Sequence, residues 1–290
     1  MSKHNFPRTL WQVWFTTPDG PDLATIMMEN KHMIRTWTEP NPQWAHIMID
    51  EKYANDFIAR HFNAHPQIQQ SFDKIQIPVL KADLLRLLVL YVYGGLYNDL
   101  DVECMRPIES WGLESLSDKV ELVVGLEYDN FDKLDRPGWP DDVQIATWTI
   151  LARANSNLLL KIALTMTEHL SRTMEDYLKA RQPFALGDDG ILDVTGPRGF
   201  TRALLEILSN EQGSRIAHAQ LSMLDAPKIL GGVCFLPVTA FACEQPHSRS
   251  GRWNDPTVLV MHHYHHSWKK SAAQASCLYS RCMEEKLEIL

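Results

Sequence analysis

No stretch of this 290-residue chain is long and apolar enough to cross a bilayer. The longest greasy run, Leu84 to Tyr93, is broken by Arg86 and falls far short of the roughly 20 residues that a spanning helix needs. The opening residues, Met1 to Pro7, contain no apolar segment of the secretory kind. Basic runs are missing too, and the formal net charge is −8, which argues against nucleic acid and anionic membrane as partners. Cysteine is sparse and odd in number, since Cys104, Cys234, Cys243, Cys277 and Cys282 match no zinc spacing. These absences predict a soluble, cytoplasmic protein with reduced thiols. Internal repeats, low-complexity tracts and linkers are also lacking. With 45% hydrophobic residues the chain can bury one large core, and a single domain over 1–290 is expected, with a helical tail over about 269–290.

The most informative residues that are present are Tyr97-Asn98-Asp99-Leu100-Asp101, which follow the helix-stop pair Gly94-Gly95 in an otherwise apolar segment. An unpaired carboxylate in a low-dielectric site is costly, and two close together also repel. A hard cation such as Mn²⁺ or Mg²⁺ relieves both penalties. It takes oxygen ligands and leaves positions for water and substrate phosphate. The competing reading is two acids on a solvated loop. Upstream, Lys81 to Tyr93 has the pattern of a buried helix, apolar nearly all round except at Asp83 and Arg86. Those two share a face at i,i+3, either as an internal salt bridge or beside Asp99 and Asp101. In the second case Arg86 answers a carboxylate or phosphate, and Asp83 accepts from a sugar hydroxyl.

The coarse pattern alternates strand and helix. Leu10 to Phe15 and Trp44 to Ile49 read as strands, with a helix over Asp22 to Thr36 between them and another through Phe62. A loop is expected around Pro66. The helix from Lys81 then feeds a short strand ending at Asp99 and Asp101, and Val120 to Leu126 is a further strand. This rhythm predicts an α/β fold, a Rossmann-like, mostly parallel sheet flanked by helices, with ligands beyond the carboxyl ends of the strands. Asn130 to Asp142 has the composition of a long functional loop or lid. Ser156 to Arg181 reads as one amphipathic helix.

His262, His263, His265 and His266 follow an apolar strand over Thr257 to Met261. Adjacent residues on an extended chain face opposite ways, so the four cannot converge as a zinc site. His262 is assigned to the same cation as the acidic pair, and the others to the surface or the acceptor side.

Lys81-Ala-Asp83-Leu-Leu-Arg86 followed by Tyr93-Gly94-Gly95-Leu-Tyr97-Asn98-Asp99-Leu-Asp101-Val102 resembles the signature of the D-x-D sugar-binding glycosyltransferases. That family includes fungal outer-chain and inositol-phosphorylceramide mannosyltransferases and is distantly similar to clostridial glucosylating toxins. Phe6 to Trp14 resembles its opening strand, with Trp11 where His is usual. Asp193 to Pro197 resembles its Thr-Gly-Pro turn, and His262 to Trp268 its closing motif, with His266 where Gly is usual.

The resemblance implies a GT-A fold and a metal-dependent, retaining transfer of a hexose from a nucleotide-diphosphate sugar. GDP-mannose is favoured and a UDP-hexose is the alternative. It implies Asp99, Asp101 and His262 as ligands of Mn²⁺ or Mg²⁺, and Trp14 as a platform for the base. Asp83, Arg86 and Asn98 are expected at the donor, with Ser267 and Trp268 at its phosphates. Asp142 is placed near the sugar, with a helix N-cap as its other reading. The acceptor is a small molecule, a lipid head group or a protein. A Golgi lumenal location follows if an amino-terminal anchor has been removed. A nucleotide-sugar phosphohydrolase and a non-catalytic nucleotide-sugar-binding protein are the competing classes.

Overall fold

The computed structural model describes residues 6–15, 21–116, 118–136, 138–182 and 184–265. His266, Ser267, Trp268 and the tail expected over 269–290 lie outside the described residues.

The elements follow in the order β1 (Thr9–Val13), α1 (Leu23–Glu29), α2 (Lys31–Thr38), β2 (Ala45–Ile49), α3 (Glu51–His61), α4 (Pro66–Lys74) and α5 (Pro78–Tyr93). Next come β3 (Gly95–Asn98), β4 (Val102–Cys104), β5 (Leu122–Asp129), β6 (Val143–Ala152), α6 (Asn157–Lys179), α7 (Asp188–Val194) and α8 (Pro197–Gln212). The described chain closes with β7 (Lys228–Leu230), β8 (Val233–Leu236), α9 (Val238–Phe241) and β9 (Val260–His262). A 7-stranded sheet runs β2-β1-β3-β6-β5-β8-β7, and β4 and β9 form a separate 2-stranded sheet.

The expected α/β architecture is present. Strands β1, β2, β3, β5 and β8 run one way, while β6 and β7 run the other. Helix α5 packs on β1, β3 and β6, α8 on β6 and α9 on β5, while α6 lies across α4, α5 and α8. Among the described residues, no helix is long and apolar enough to cross a membrane.

Local chemistry explains the boundaries, including three that differ from the sequence reading. The helix expected over Asp22 to Thr36 is two helices, parted at Asn30, whose backbone at φ −96° and ψ 14° leaves the helical region. Pro66 does not sit in a loop but opens α4, where its missing N–H costs nothing. Val143 to Ala152 is a strand, so Asp142 is not a helix N-cap. Elsewhere Asp50 caps α3 by accepting from the Tyr53 amide at 2.7 Å, and Ser156 caps α6.

Gly94 ends α5 and turns the chain directly into β3. It holds φ 64° and ψ −164°, a region confined essentially to glycine, and a Cβ there would meet the Ala154 amide nitrogen at 2.5 Å. Trp11 braces the same turn, donating from Nε1 to the Gly94 carbonyl at 2.8 Å. Gly94→Ala should therefore destabilise the fold by more than about 2 kcal/mol, as measured by urea unfolding.

Cys104, Cys234 and Cys243 are free and buried. Burial pushes the Cys104 thiol up to about 12 and that of Cys234 up to about 11, which suppresses the reactive thiolate. Peptide mapping after iodoacetamide treatment at pH 8 should find both unlabelled in the native protein and labelled after unfolding.

Candidate active site

The central strand β3 ends at Asn98, and the acidic pair lies in the tight turn that follows. The Asp99 amide donates to the Trp148 carbonyl at 2.8 Å, and the Val102 amide donates to the Asp99 carbonyl at 3.2 Å. This turn gives the two carboxylates different partners.

Asp99 faces helix α5. Its Oδ1 accepts from the Tyr97 hydroxyl at 2.6 Å and lies 3.5 Å from Arg86 Nη2. Arg86 also pairs with Asp83 at 2.7 Å and stacks its guanidinium on the Tyr97 ring, 4.8 Å from the centroid. Its Nη1 donates to the Thr147 carbonyl at 2.7 Å. The Thr195 hydroxyl, from the Thr-Gly-Pro turn between α7 and α8, donates to Asp83 Oδ2 at 2.7 Å. Asp83 and Arg86 are thus both an internal pair and neighbours of Asp99.

A break in strand pairing makes this possible. On β5 and β6, Val124 pairs with Ile150 but Leu126 pairs with Ile145, so β6 swings away from its partner for several residues. In that interval the Thr147 carbonyl turns to Arg86, while on the other edge of β6 the Trp148 carbonyl continues the β3–β6 pairing to the Asp99 amide.

Asp101 faces the other way. Its Oδ2 lies 3.3 Å from His262 Nε2 and accepts from the His265 amide at 3.0 Å, while its carbonyl accepts from the His263 amide at 2.9 Å. The β4–β9 ladder sets this geometry by pairing Val102 with His262. Adjacent histidines do face opposite ways. His263, expected at the surface or on the acceptor side, pairs with Glu103 at 3.0 Å, while His265 is exposed. The His262 ring stacks on Trp148 at 4.2 Å between centroids and lies 4.0 Å from the Tyr264 ring.

These surroundings push the two aspartates apart electrostatically. Burial raises the Asp99 carboxyl despite Arg86, and the Asp101 charge adds to the rise. For Asp101, burial is outweighed by His262 and the His265 amide, which hold it well below the usual carboxylate range. His262 is held above its ordinary value because Asp101 overcomes the effect of burial. Burial lifts Asp83 to about 6 even though Arg86 and Thr195 oppose it.

The spacing of Asp101 and His262 suits a cation as well as a proton. Adjacent ligands of an octahedral Mg²⁺ or Mn²⁺, with bonds of about 2.1 Å, stand about 3 Å apart. Among the described residues, no three His, Cys, Asp or Glu side chains form a closed metal cluster. Asp99, expected as a third ligand, is held instead by Tyr97 and Arg86. Two protein ligands are enough for a hard cation that completes its shell with water and phosphate.

The other expected residues are distributed along this edge. Trp14 lies just beyond β1, its Nε1 buried with no hydrogen-bond partner among the described residues. Asn98 is fully buried and donates from Nδ2 to the Asp99 carbonyl at 3.0 Å. Asp142 immediately precedes β6, at the end of that strand opposite to Ala152. There it is paired with Lys133 at 2.7 Å and accepts from Asn130 at 3.1 Å. Tyr97, Thr195 and Tyr264 have roles that were not anticipated. Of these, Tyr97 was accessible from alternation, since i,i+2 places it on the same strand face as Asp99.

Fold and site together define an α/β protein with an arginine–aspartate and an aspartate–histidine corner at the carboxyl end of its central strand. Residues 28–118 match the family model described as glycosyltransferase sugar-binding region containing DXD motif. The match includes Lys81 to Val102, so the resemblance drawn from that segment is borne out. Over 272 residues the chain is 29% identical to the initiation-specific alpha-1,6-mannosyltransferase of Schizosaccharomyces pombe, covering 91% of this chain and 64% of that protein. The Candida albicans protein of the same name is 26% identical over 286 residues, with 91% of this chain and 72% of that protein covered. This chain therefore spans under two thirds of the first relative's length. Among solved structures, the PaToxG glycosyltransferase is similar at a TM-score of 0.45 and 16% identity, with 71% of this chain and 72% of that chain covered.

Arg86→Ala leaves the buried Asp83 and Asp99 uncompensated and should cost about 3–5 kcal/mol in urea unfolding. Without Arg86 the Asp83 carboxyl rises further above about 6, its value in the parent. A protonated Asp83 tolerates burial better than an ionised one, so the loss should be smaller at pH 5 than at pH 8.

Proposed function

We propose that this chain is a metal-dependent, retaining glycosyltransferase of GT-A type, moving a hexose from a nucleotide-diphosphate sugar to a hydroxyl acceptor. The observation that carries this reading is the divergence of the acidic pair, with Asp101 directed to His262 and Asp99 to Arg86 and Tyr97. The match of residues 28–118 to the DXD sugar-binding region supports it. The relatives' name, alpha-1,6-mannosyltransferase, favours GDP-mannose as donor, with a UDP-hexose as the alternative.

In this reading Asp101 and His262 hold Mn²⁺ or Mg²⁺, which when bound supplies Lewis-acid stabilisation of the leaving diphosphate. Asp99 reaches the ribose or the sugar. Asp83 and Arg86 fix the sugar hydroxyls in the reactive pose, braced from below by the Thr147 carbonyl and the Thr195 hydroxyl. Trp14 stacks the base and Asn98 steadies the acidic turn; Ser267 and Trp268, expected at the phosphates, lie outside the described residues. Asp142 meets a hydroxyl only if its contact with Lys133 gives way. The acceptor hydroxyl attacks from the face that the diphosphate leaves, so an α-linked donor gives an α-linked product. The acceptor is a small molecule, a lipid head group or a protein.

Asp101→Asn keeps the shape of the side chain and removes a ligand charge. It should abolish Mn²⁺-dependent GDP binding, followed by calorimetry, and sugar transfer, while the circular dichroism spectrum stays parental. Activity that survives both this substitution and EDTA would rule out the metal role. Binding of GDP-mannose by the parent without any turnover would favour a nucleotide-sugar-binding protein. Release of sugar phosphate instead of glycoside would favour a phosphohydrolase.

A further inference from the structure

A histidine that ligates a metal is ordinarily oriented by a hydrogen bond from its second ring nitrogen to a carboxylate, a carbonyl or water. In His262 that nitrogen, Nδ1, is buried and meets no hydrogen-bond partner among the described residues. The contact of Nε2 with Asp101, at 3.3 Å, is longer than the roughly 2.7–2.9 Å of a charge-assisted hydrogen bond and fixes the ring only loosely.

Two aromatic rings hold it instead. Trp148 stacks on the imidazole with centroids 4.2 Å apart and planes 29° apart, and the Tyr264 ring lies at 4.0 Å, tilted by 48°. Trp148 and Tyr264 also meet each other edge to face at 5.6 Å, so the three rings form a triangle and His262 sits in a corner with two walls. One stacked face would let the ring slide; a second wall from another direction stops it. Both walls are anchored. Trp148 is buried and donates from Nε1 to the Phe241 carbonyl at 3.3 Å, and the Tyr264 hydroxyl accepts from Gln245 Nε2 at 2.8 Å.

The backbone at Tyr264 is the independent sign that this corner is built for a purpose. Its φ is 50°, in the left-handed region, which costs a side chain of this kind about 1–2 kcal/mol. Strain of that sort persists where the surroundings over-determine it, and it gathers at functional sites. Had β9 simply continued, Tyr264 would stand roughly 7 Å along the strand from His262. The turn draws its ring in to 4.0 Å and also brings the His265 amide to Asp101 Oδ2 at 3.0 Å. One strained residue therefore serves both expected ligands.

We propose that Trp148 and Tyr264 are positioning residues that orient His262 for the cation by ring contact, in place of a hydrogen bond. This rests on the metal-dependent reading above. Neither ring touches the ion; each acts through the imidazole, which is preorganised and loses little freedom when it takes a metal.

Mn²⁺-dependent GDP binding by the whole chain, followed by calorimetry over a series of MnCl₂ concentrations, tests this. Trp148→Leu and Tyr264→Gly each remove one wall, and glycine retains the left-handed turn. In both, the MnCl₂ concentration for half-maximal GDP binding should rise by about tenfold or more, while GDP affinity at saturating MnCl₂ stays parental. Trp148→Phe and Tyr264→Phe keep a ring and should restore the parental Mn²⁺ requirement. A merely structural role would lower Tm without moving that requirement, and this result in Tyr264→Gly overturns the proposal even if Trp148→Leu fails to fold. A rise in Tyr264→Phe equal to that in Tyr264→Gly overturns it too, because the hydroxyl and not the ring is then at work. So does a loss of GDP affinity that saturating MnCl₂ does not repair, since the rings then serve the nucleotide. If GDP binding by the parent does not depend on Mn²⁺, the metal-dependent reading has failed and this proposal falls with it.

Discussion

Arg86 is a guanidinium that cannot shed its charge, set in a helix that is apolar on nearly every side, and the architecture around it is arranged to keep that charge solvated by protein. Removing such an ion from water costs several kcal/mol unless its donors are met. Here the partners come from separate parts of the chain. Asp83 lies one turn earlier on α5, Asp99 just past β3, the Thr147 carbonyl on β6, and the Tyr97 ring beneath the guanidinium plane. The irregular pairing of β5 and β6 belongs to the same demand, because a regular ladder would engage the Thr147 carbonyl and leave Arg86 short of an acceptor. Helix, glycine turn and acidic loop are therefore one electrostatic unit.

Within that unit, two aspartates separated by one residue acquire opposite characters. Burial pushes Asp99 up even though it shares Arg86 with Asp83, whereas Asp101 stands beside His262 and is held down. Pairs of acids whose environments drive them apart are how proteins divide labour between chemically identical groups. The division depends on the turn at Asp99 and on the short β4–β9 ladder rather than on residue type.

Much of this was legible in the chain itself. The alternation of strands and helices gave the sheet, and Gly94-Gly95 followed by Asp99 and Asp101 gave the location of the site, because backbone permissiveness and paired carboxylates are local properties. His262 was recoverable for a similar reason, since alternation on an extended chain separates it from His263. Other features were hidden by their nature. The break at Asn30 lies in the backbone angles of a single residue, and Pro66 has opposite meanings inside a helix and at its first turn. Thr195 stands out in its Thr-Gly-Pro turn, but its contact with Asp83 across 112 residues, like that of Thr147 with Arg86 across 61, is announced by no local pattern. The bulge at Glu127 is a slip of register between β5 and β6, which the apolar run of β5 does not record.

The small sheet of β4 and β9 also has a consequence for how the protein comes into being. Asp101 meets the amide of His265 across 164 residues, so the aspartate–histidine corner is among the most distant pairings in the chain. Contacts of that span bear a large loop-closure entropy and form slowly. On the ribosome, the acidic turn emerges long before its histidine does. For most of its synthesis the nascent chain thus holds Asp101 without its counter-charge, and the corner is completed only when the last described strand arrives.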